Sequence, residues 1–292
     1  MKEKKQPMNV DFHVHITPPD IIADWEKYAQ KEPYFSLLSN SRNNKFATAE
    51  DVAASLEKDG TFSRAVVFGF AFRDMGLCRY VNDYVIEKTG QYPEKLIGFM
   101  VVPPCGDEAA AEIERCSGLG LKGVGELFPA GQGFDLEDER QTGAITGACR
   151  AFSLPLLLHV NEPVGHYYPG KTDVTLKQIE TFAANNCESA RSPALNIVLA
   201  HFGGGIFIYE TMREIKEKFR NVYYDTAAAP FLYDEKIYRA AEALGLCEKL
   251  LFGSDFPLLA RSRCVDGLEK SGVCDENKRL ILGANARKLL GI

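Results

Sequence analysis

The chain has 292 residues, 46% of them hydrophobic and 25% charged, which is material for a large core and excludes a disordered polymer. Lys and Arg number 34 against 40 Asp and Glu, a net charge of −6. Apart from the short run at 2–5 no basic cluster occurs, so a nucleic-acid surface is not expected. The longest apolar runs fall far short of the roughly 20 residues of a membrane span. The charged N-terminus leads into polar DFHVHITPPD rather than an apolar leader, so a cytoplasmic protein is expected, with no membrane partner. Eight cysteines without a CxxC spacing read as reduced thiols with no assigned role.

In chain order, eight short segments rich in β-branched and aromatic residues recur, at 8–16, 63–71, 96–104, 121–129, 155–163, 195–203, 221–229 and 249–257. Helical periodicity fills the intervals at 78–88, 107–118, around 137–152, 175–186, 206–219 and 234–245. A last helix is predicted through 275–290, with Asp275 as its N-cap. Near-continuous apolar strands alternating with amphipathic helices imply an α/β fold with a parallel sheet, and eight such units close as a (β/α)8 TIM barrel. An open doubly wound sheet would normally carry a Gly-rich loop after its first strand, where HITPPD stands instead. HFGGG at 201–205 matches neither phosphate-loop pattern and reads as a tight strand-to-helix turn. The interval 17–62 is too long for a minimal connection. It holds a helix near 19–30, the polar stretch SNSRNNKFAT, and a helix near 49–59 opened by Thr48 and Asp51 as a capping box. It is an insertion after strand one, expected over the mouth of the barrel. With no linker, repeat or low-complexity tract, one domain over 1–292 is expected.

Only five histidines occur, and four lie at predicted strand ends. His13 and His15 have the period of a strand, so both rings face one side and can share a metal. His159 and His201 lie near the ends of strands five and six. Singly each reads as a buried, hydrogen-bonded residue; together, at the catalytic end of a barrel, they read as a site. Asp255, in SDFP after strand eight, is a turn former before Pro257 or a ligand and base. Glu126, among apolar neighbours at the end of strand four, is a metal ligand or the partner of Lys122 or of another barrel residue in an ion pair. Three histidines and a carboxylate with an open position suit a divalent cation, zinc first, with manganese, cobalt or iron as alternatives.

HVH on strand one, LLLHV on strand five, LAHFGGG on strand six, FGSDFP on strand eight and the closing NARKLLGI resemble the amidohydrolase superfamily from residue 9 to 292. The branch concerned includes aminocarboxymuconate-semialdehyde decarboxylase, resorcylate decarboxylases and pyrone-dicarboxylate lactonase. The resemblance implies that His13, His15, His159 and Asp255 are metal-site residues and that His201 orients water or substrate. Some members carry on strand four a lysine that can be carboxylated to bridge two metals; this chain has Glu126 there, as TatD-like nucleases do. One tightly held ion is expected, with a second optional, and a homodimer is allowed, since relatives often dimerise.

A metal lowers the pKa of bound water to about 7, so the expected activity is hydrolysis of a small amide, ester or lactone. Asp255 would take the water's proton and His201 would support the oxyanion. The alternative is non-oxidative decarboxylation of a small unsaturated or aromatic carboxylic acid. A substrate carboxylate would need a cation at the mouth, with Arg73 preferred over Lys171, Arg261 and Arg263. His166, in the EPVGHYYPGK loop after strand five, is a second candidate substrate contact. A non-catalytic barrel with a structural metal would be expected to show a closed four-ligand site, often with Cys.

Overall fold

Each predicted strand segment contains a strand in the computed structural model, which describes residues 8–41, 44–187 and 193–292. These are β1 (Val10–His15), β2 (Arg64–Phe68), β3 (Leu96–Gly98), β4 (Val124–Leu127), β5 (Leu156–Leu158), β6 (Ile197–Leu199), β7 (Val222–Asp225) and β8 (Leu250–Leu251). All neighbours pair in parallel, in the orders β1-β2-β3 and β4-β5-β6-β7-β8. Two seams join these sheets. At one, Met100 N donates to Gly123 O at 2.9 Å and Gly125 N to Met100 O at 2.7 Å; at the other, Phe12 N donates to Phe252 O at 2.7 Å and His15 N to Phe256 O at 2.8 Å. The result is a (β/α)8 barrel.

Side-chain alternation decides what the barrel encloses. Phe12, Val66, Phe68, Ile97, Phe99, Leu157, Val198 and Leu251 form the inner cluster, whereas Val14, Ala65, Val67, Leu156, Leu158, Ile197, Leu199 and Leu250 pack outward against the helices. Phe12 and Val14 share a parity yet face opposite ways. The register of β1 against β2 shifts between Asp11 and Val14, and this bulge changes the inward phase from even to odd. Phe12 therefore plugs the barrel, edge-on to Phe99, and His13 and His15 both face the lumen above it. A similar shift between Val124 and Leu127 turns Glu126 inward. Gly125 there has φ +123, and a Cβ would lie 2.2 Å from the Leu157 carbonyl oxygen, so only glycine fits.

Around the barrel, the helix Asp107–Gly118 has its predicted limits. So does Ala49–Asp59, opened by the reciprocal hydrogen bonds of Thr48 and Asp51. Other expectations are corrected. Cys274, not Asp275, is the N-cap of the last helical segment; its extended backbone sets Asp275 in the first turn. That segment is not one α-helix, because 280–284 is a wider turn where Gly283 lies against the backbone of Met8 and Asn9. The stretch 206–219 is a 3-10 turn over Ile206–Thr211 followed by Arg213–Lys218. The helix expected near 19–30 is two short helices, Pro19–Ala23 and Trp25–Ala29, and Pro33–Ser39, Pro129–Gln132, Ala229–Leu232 and Arg261–Lys270 were not anticipated. The strands are also shorter than the apolar segments that signalled them. The basic run at 2–5 and two residues of the polar stretch, 42 and 43, lie outside the described residues. Among the described residues no helix is long and apolar enough to cross a membrane. All eight cysteines are free.

Candidate metal centre

Six side chains converge at the C-terminal end of the barrel. His13 and His15 come from β1, Glu126 from β4, His159 directly after β5, His201 from the turn after β6, and Asp255 from the loop after β8. The bulged strands β1 and β4 deliver the first three and the end of β5 delivers His159; the last two need unusual backbone. His201 has φ +57 in the turn expected at HFGGG, and Asp255 has φ +63, both in the left-handed region. Asp255 is held there by its N–H, which donates to His13 O at 3.0 Å, and by its neighbour Ser254. Ser254 N and Oγ donate to the buried Asp11 carboxylate at 2.9 and 2.6 Å.

The six fall into two groups of three, His13, His15 and Asp255, and Glu126, His159 and His201. Glu126 spans them. Its Oε2 lies 3.4 Å from His13 Nε2 and 3.5 Å from His15 Nε2, while its Oε1 lies 2.9 Å from His159 Nδ1 and 3.6 Å from His201 Nε2. Asp255 Oδ1 lies 3.3 Å from His15 Nε2 and 3.7 Å from His13 Nε2. Lys122 has no part in this arrangement; of the two ion pairs weighed for Glu126, the one with other barrel residues is present, its partners being histidines.

The outward ring nitrogens are committed. His13 Nδ1–H donates to Asp225 Oδ2 at 2.8 Å, His159 Nε2–H to Gly170 O at 2.9 Å, and His201 Nδ1–H to Ala227 O at 3.0 Å. In the neutral rings these bonds leave the inner nitrogens bare. His159 Nδ1 and His201 Nε2 then face each other at 3.4 Å, with Glu126 Oε1 between them as a third acceptor. Three acceptors converging in a buried place call for a cation, a proton on an imidazole or a metal ion. The donor set therefore fits a metal ion, with outward bonds of the kind that orient metal-bound histidines.

The charges balance in the same sense. Burial alone would lower the pKa of His13, but Asp225 and Glu126 outweigh it and raise it well above the usual range. Burial also opposes protonation of His201, yet Glu126, by hydrogen bond and by charge, lifts it to about 9. Burial would raise Asp255, but the hydrogen bond with His15 and the charges of His13 and His15 bring it down to about 2. Glu126, likewise opposed by burial, is pulled well below the usual carboxylate range by His13 and His159. The carboxylates thus stay ionised and draw positive charge to the imidazoles.

The other predicted residues stand apart from this cluster. Arg73 Nε donates to Gly131 O at 2.6 Å, and its backbone N–H to the buried Glu32 carboxylate at 3.0 Å. His166 is exposed on the loop after β5, beside Tyr168. Arg261 is buried, its Nε donating to Asp11 Oδ2 at 2.7 Å and its Nη1 to Ser55 Oγ at 2.6 Å. Sequence reasoning missed Asp225, the last residue of β7 and fully buried. Its Oδ2 accepts from His13 while its Oδ1 accepts from the backbone N–H groups of His201 and Ala227, both at 3.0 Å, so it braces one histidine of each group. The available signal was its position, a carboxylate on the same rim as the histidines.

The sequence matches the family model described as Amidohydrolase over residues 10–292. Among curated proteins no sequence matches. Among solved structures, 5-carboxyvanillate decarboxylase from Sphingomonas paucimobilis superposes with a TM-score of 0.77 at 16% identity, covering 98% of this chain and 99% of that one. The 5-carboxyvanillate decarboxylase of Novosphingobium aromaticivorans, solved with manganese and 4-hydroxy-3-methoxy-5-nitrobenzoic acid, gives 0.70 at 14% identity, with 98% and 96% covered. A protein of Acinetobacter baumannii described as a probable 2-pyrone-4,6-dicarboxylic acid hydrolase gives 0.64 at 16% identity, with 97% and 99% covered. At these identities the likeness is one of fold. The match of the family model over nearly the whole chain goes further: the chain belongs to the amidohydrolase family.

Proposed function

We propose that the protein is a metal-dependent hydrolase of a small amide, ester or lactone, with two ion positions that share Glu126. The observation that carries this reading is Glu126 itself, one carboxylate whose two oxygens each face a different group of histidines. His13, His15 and Asp255 would hold one ion, and His159 and His201 the other. His201 becomes a ligand here rather than the oxyanion donor, because its Nδ1–H is spent on Ala227 O and its inner nitrogen is an acceptor. Four imidazoles and two carboxylates suit a borderline divalent cation, zinc first and manganese next. When bound, the ions supply Lewis acidity and lower the pKa of water towards about 7.

Asp255 accepts the proton of the attacking water and returns it to the leaving group. It is ionised, and it lies beside His15, the most open ligand at 31% side-chain exposure, so substrate approaches on that side. On the other side Phe128 stands edge-on to His159, with ring centres 4.5 Å apart, and Tyr34 packs on Phe128, which keeps water from that flank.

Decarboxylation is the second reading, and the names of two of the superposed enzymes favour it. A substrate carboxylate would then look for a cation. Lys171 and Arg261 are engaged, with Glu162 and with Asp11 and Ser55, while Arg73 is bonded to Gly131 O through Nε alone and the exposed Arg263 stacks over the Phe231 ring at 4.7 Å. Hydrolysis stands first on the placement of Glu126, and CO2 release is measured beside it.

The test is metal analysis of purified protein, then turnover of neutral esters, lactones and amides beside aromatic and unsaturated acids, with CO2 release followed. Two equivalents of metal and hydrolytic turnover are expected, with Asp255→Asn lowering kcat by about 10² to 10⁴. CO2 release without hydrolysis would transfer the chain to the second reading. Unchanged metal content after replacing both His13 and His15 by Ala would remove the metal centre altogether.

A further inference from the structure

The buried Arg261 takes no part in the proposed reaction, yet its contacts reach both neighbours of Asp255. It opens the helix Arg261–Lys270. Its Nε donates to Asp11 Oδ2 at 2.7 Å, its Nη1 donates to Ser55 Oγ of the helix Ala49–Asp59 at 2.6 Å, and its guanidinium carbon lies 4.8 Å from the ring centre of Phe256. Asp11 passes the first of these contacts on. It is fully buried, and its Oδ1 accepts from Ser254 N at 2.9 Å while its Oδ2 accepts from Ser254 Oγ at 2.6 Å. Ser254 Oγ in turn accepts from Phe256 N at 3.0 Å. From the same helix as Arg261, the Cys264 thiol donates to Ser254 O at 3.6 Å.

Asp255 sits between these two held residues with φ +63. A side chain bearing a Cβ is disfavoured in that region, so the conformation persists only where the surroundings fix it. Asp255 has two backbone bonds of its own, from its N to His13 O at 3.0 Å and from Leu258 N to its O at 2.8 Å. These leave the peptides on either side to be fixed by other contacts. Arg261 reaches both, the Ser254 side through the Asp11 carboxylate and the Phe256 side through the ring. A planar guanidinium meets a carboxylate, a hydroxyl and a ring face at once, which a compact ammonium does not. A buried ion pair adds little stability over apolar residues of equal volume, so the contribution of this pair is direction.

We propose that Arg261 is a positioning residue for Asp255. It acts through Asp11 and Ser254 on one side and through the Phe256 ring on the other, so that the carboxylate is aimed from a residue outside the cluster. The consequence for metal rests on the reading that Asp255 holds an ion together with His13 and His15. The consequence for the backbone does not, since it concerns the turn itself.

Two measurements on Arg261→Lys separate these consequences. The variant keeps a positive charge beside Asp11, so it should fold, but it loses the planar fork that joins Asp11, Ser55 and Phe256. In metal-free protein, amide hydrogen exchange at Asp255 is expected to quicken by about tenfold relative to metal-free wild type, with Val198, in the middle of a paired strand, unchanged. Zinc affinity, measured against a competing chelator, should fall by about tenfold. That loss should vanish when Arg261→Lys is combined with Asp255→Ala, which has no carboxylate left to aim. Unchanged exchange at Asp255 overturns the proposal, and so does an equal zinc loss in both backgrounds, which would make Arg261 a general stabiliser. Should Arg261→Lys fail to fold, Ser254→Ala removes the hydroxyl link alone and is read at the Asp255 amide and by the same zinc cycle. If Asp255→Ala alone binds zinc as the wild type does, only the reading of Asp255 as a ligand falls, because exchange in metal-free protein still decides the role of Arg261.

Discussion

Asp225 does for His13 what Gly170 does for His159, with a charge in place of a carbonyl dipole. Replacing it by Asn keeps the shape and the Oδ1 acceptor for His201 N and Ala227 N, but sets an amide donor against the His13 Nδ1–H. His13 then gains by moving its proton to the inner nitrogen. Asp225→Asn is expected to weaken binding of the ion at His13 and His15 by about tenfold to a hundredfold with an unchanged circular dichroism spectrum. Chelator competition measures this, and an unaltered affinity would reduce Asp225 to a packing residue. The four clustered histidines were legible in the sequence because histidine is scarce here and these four fall on or beside apolar strand segments. Asp225 was not, since one carboxylate among 40 acidic residues stands out only once the hydrogen bond to His13 is seen. The cations were misplaced for a related reason. Arg261 follows a strand end as a substrate clamp would, yet it turns down to Asp11, and only burial reveals that.

Among the elements, period was legible and interruption was not. The spacing of His13 and His15 placed both on one face, but nothing in MNVDFHVHI announces that the face changes between Phe12 and His13. The bulge is what lets one strand plug the barrel with a phenylalanine and still present two histidines above it. Short helices were missed where a Pro opens them, as at Pro33–Ser39 and Ala229–Leu232, since a single turn or two gives no measurable periodicity. The strand beside β1 across the seam must yield space to the imidazoles. Gly253 follows β8, and a Cβ there would come 2.8 Å from the Cβ of His13. Gly253→Ala has no backbone reason to fail, so it should fold, lose about 1–3 kcal/mol to overpacking and displace the His13 ring. The expected signature is a lowered Tm together with metal lost first from His13 and His15. A Tm drop with full retention of both ions would mean that the strain is absorbed at Ala227, the other neighbour of that Cβ.

Across the whole molecule the six converging side chains are distributed around the ring rather than clustered on one strand. His13, His15 and Asp255 straddle the seam between β1 and β8, while Glu126, His159 and His201 link the ends of three successive strands from β4 to β6. The seam needs the help, because β8 is only Leu250–Leu251 and the closure beyond it depends on scattered bonds such as Phe12 N to Phe252 O and Asp255 N to His13 O. Ions bound to the folded ring and not to the unfolded chain add stability by mass action, about 4 kcal/mol for one ion at a thousandfold excess over its Kd. For a chain of this size each kcal/mol moves Tm by roughly 2–4 °C, so stripping metal with a chelator should lower Tm on the order of 10 °C, and zinc or manganese should restore it. The loss should not be uniform. Amide hydrogen exchange is expected to quicken most at Phe12, His15 and Asp255, where the seam is closed by single bonds, and least at Val67 and Val198 in the middle of paired strands. A Tm and an exchange pattern indifferent to chelation would mean that the hydrophobic plug of Phe12, Phe68 and Phe99 closes the ring unaided, leaving metal to chemistry alone.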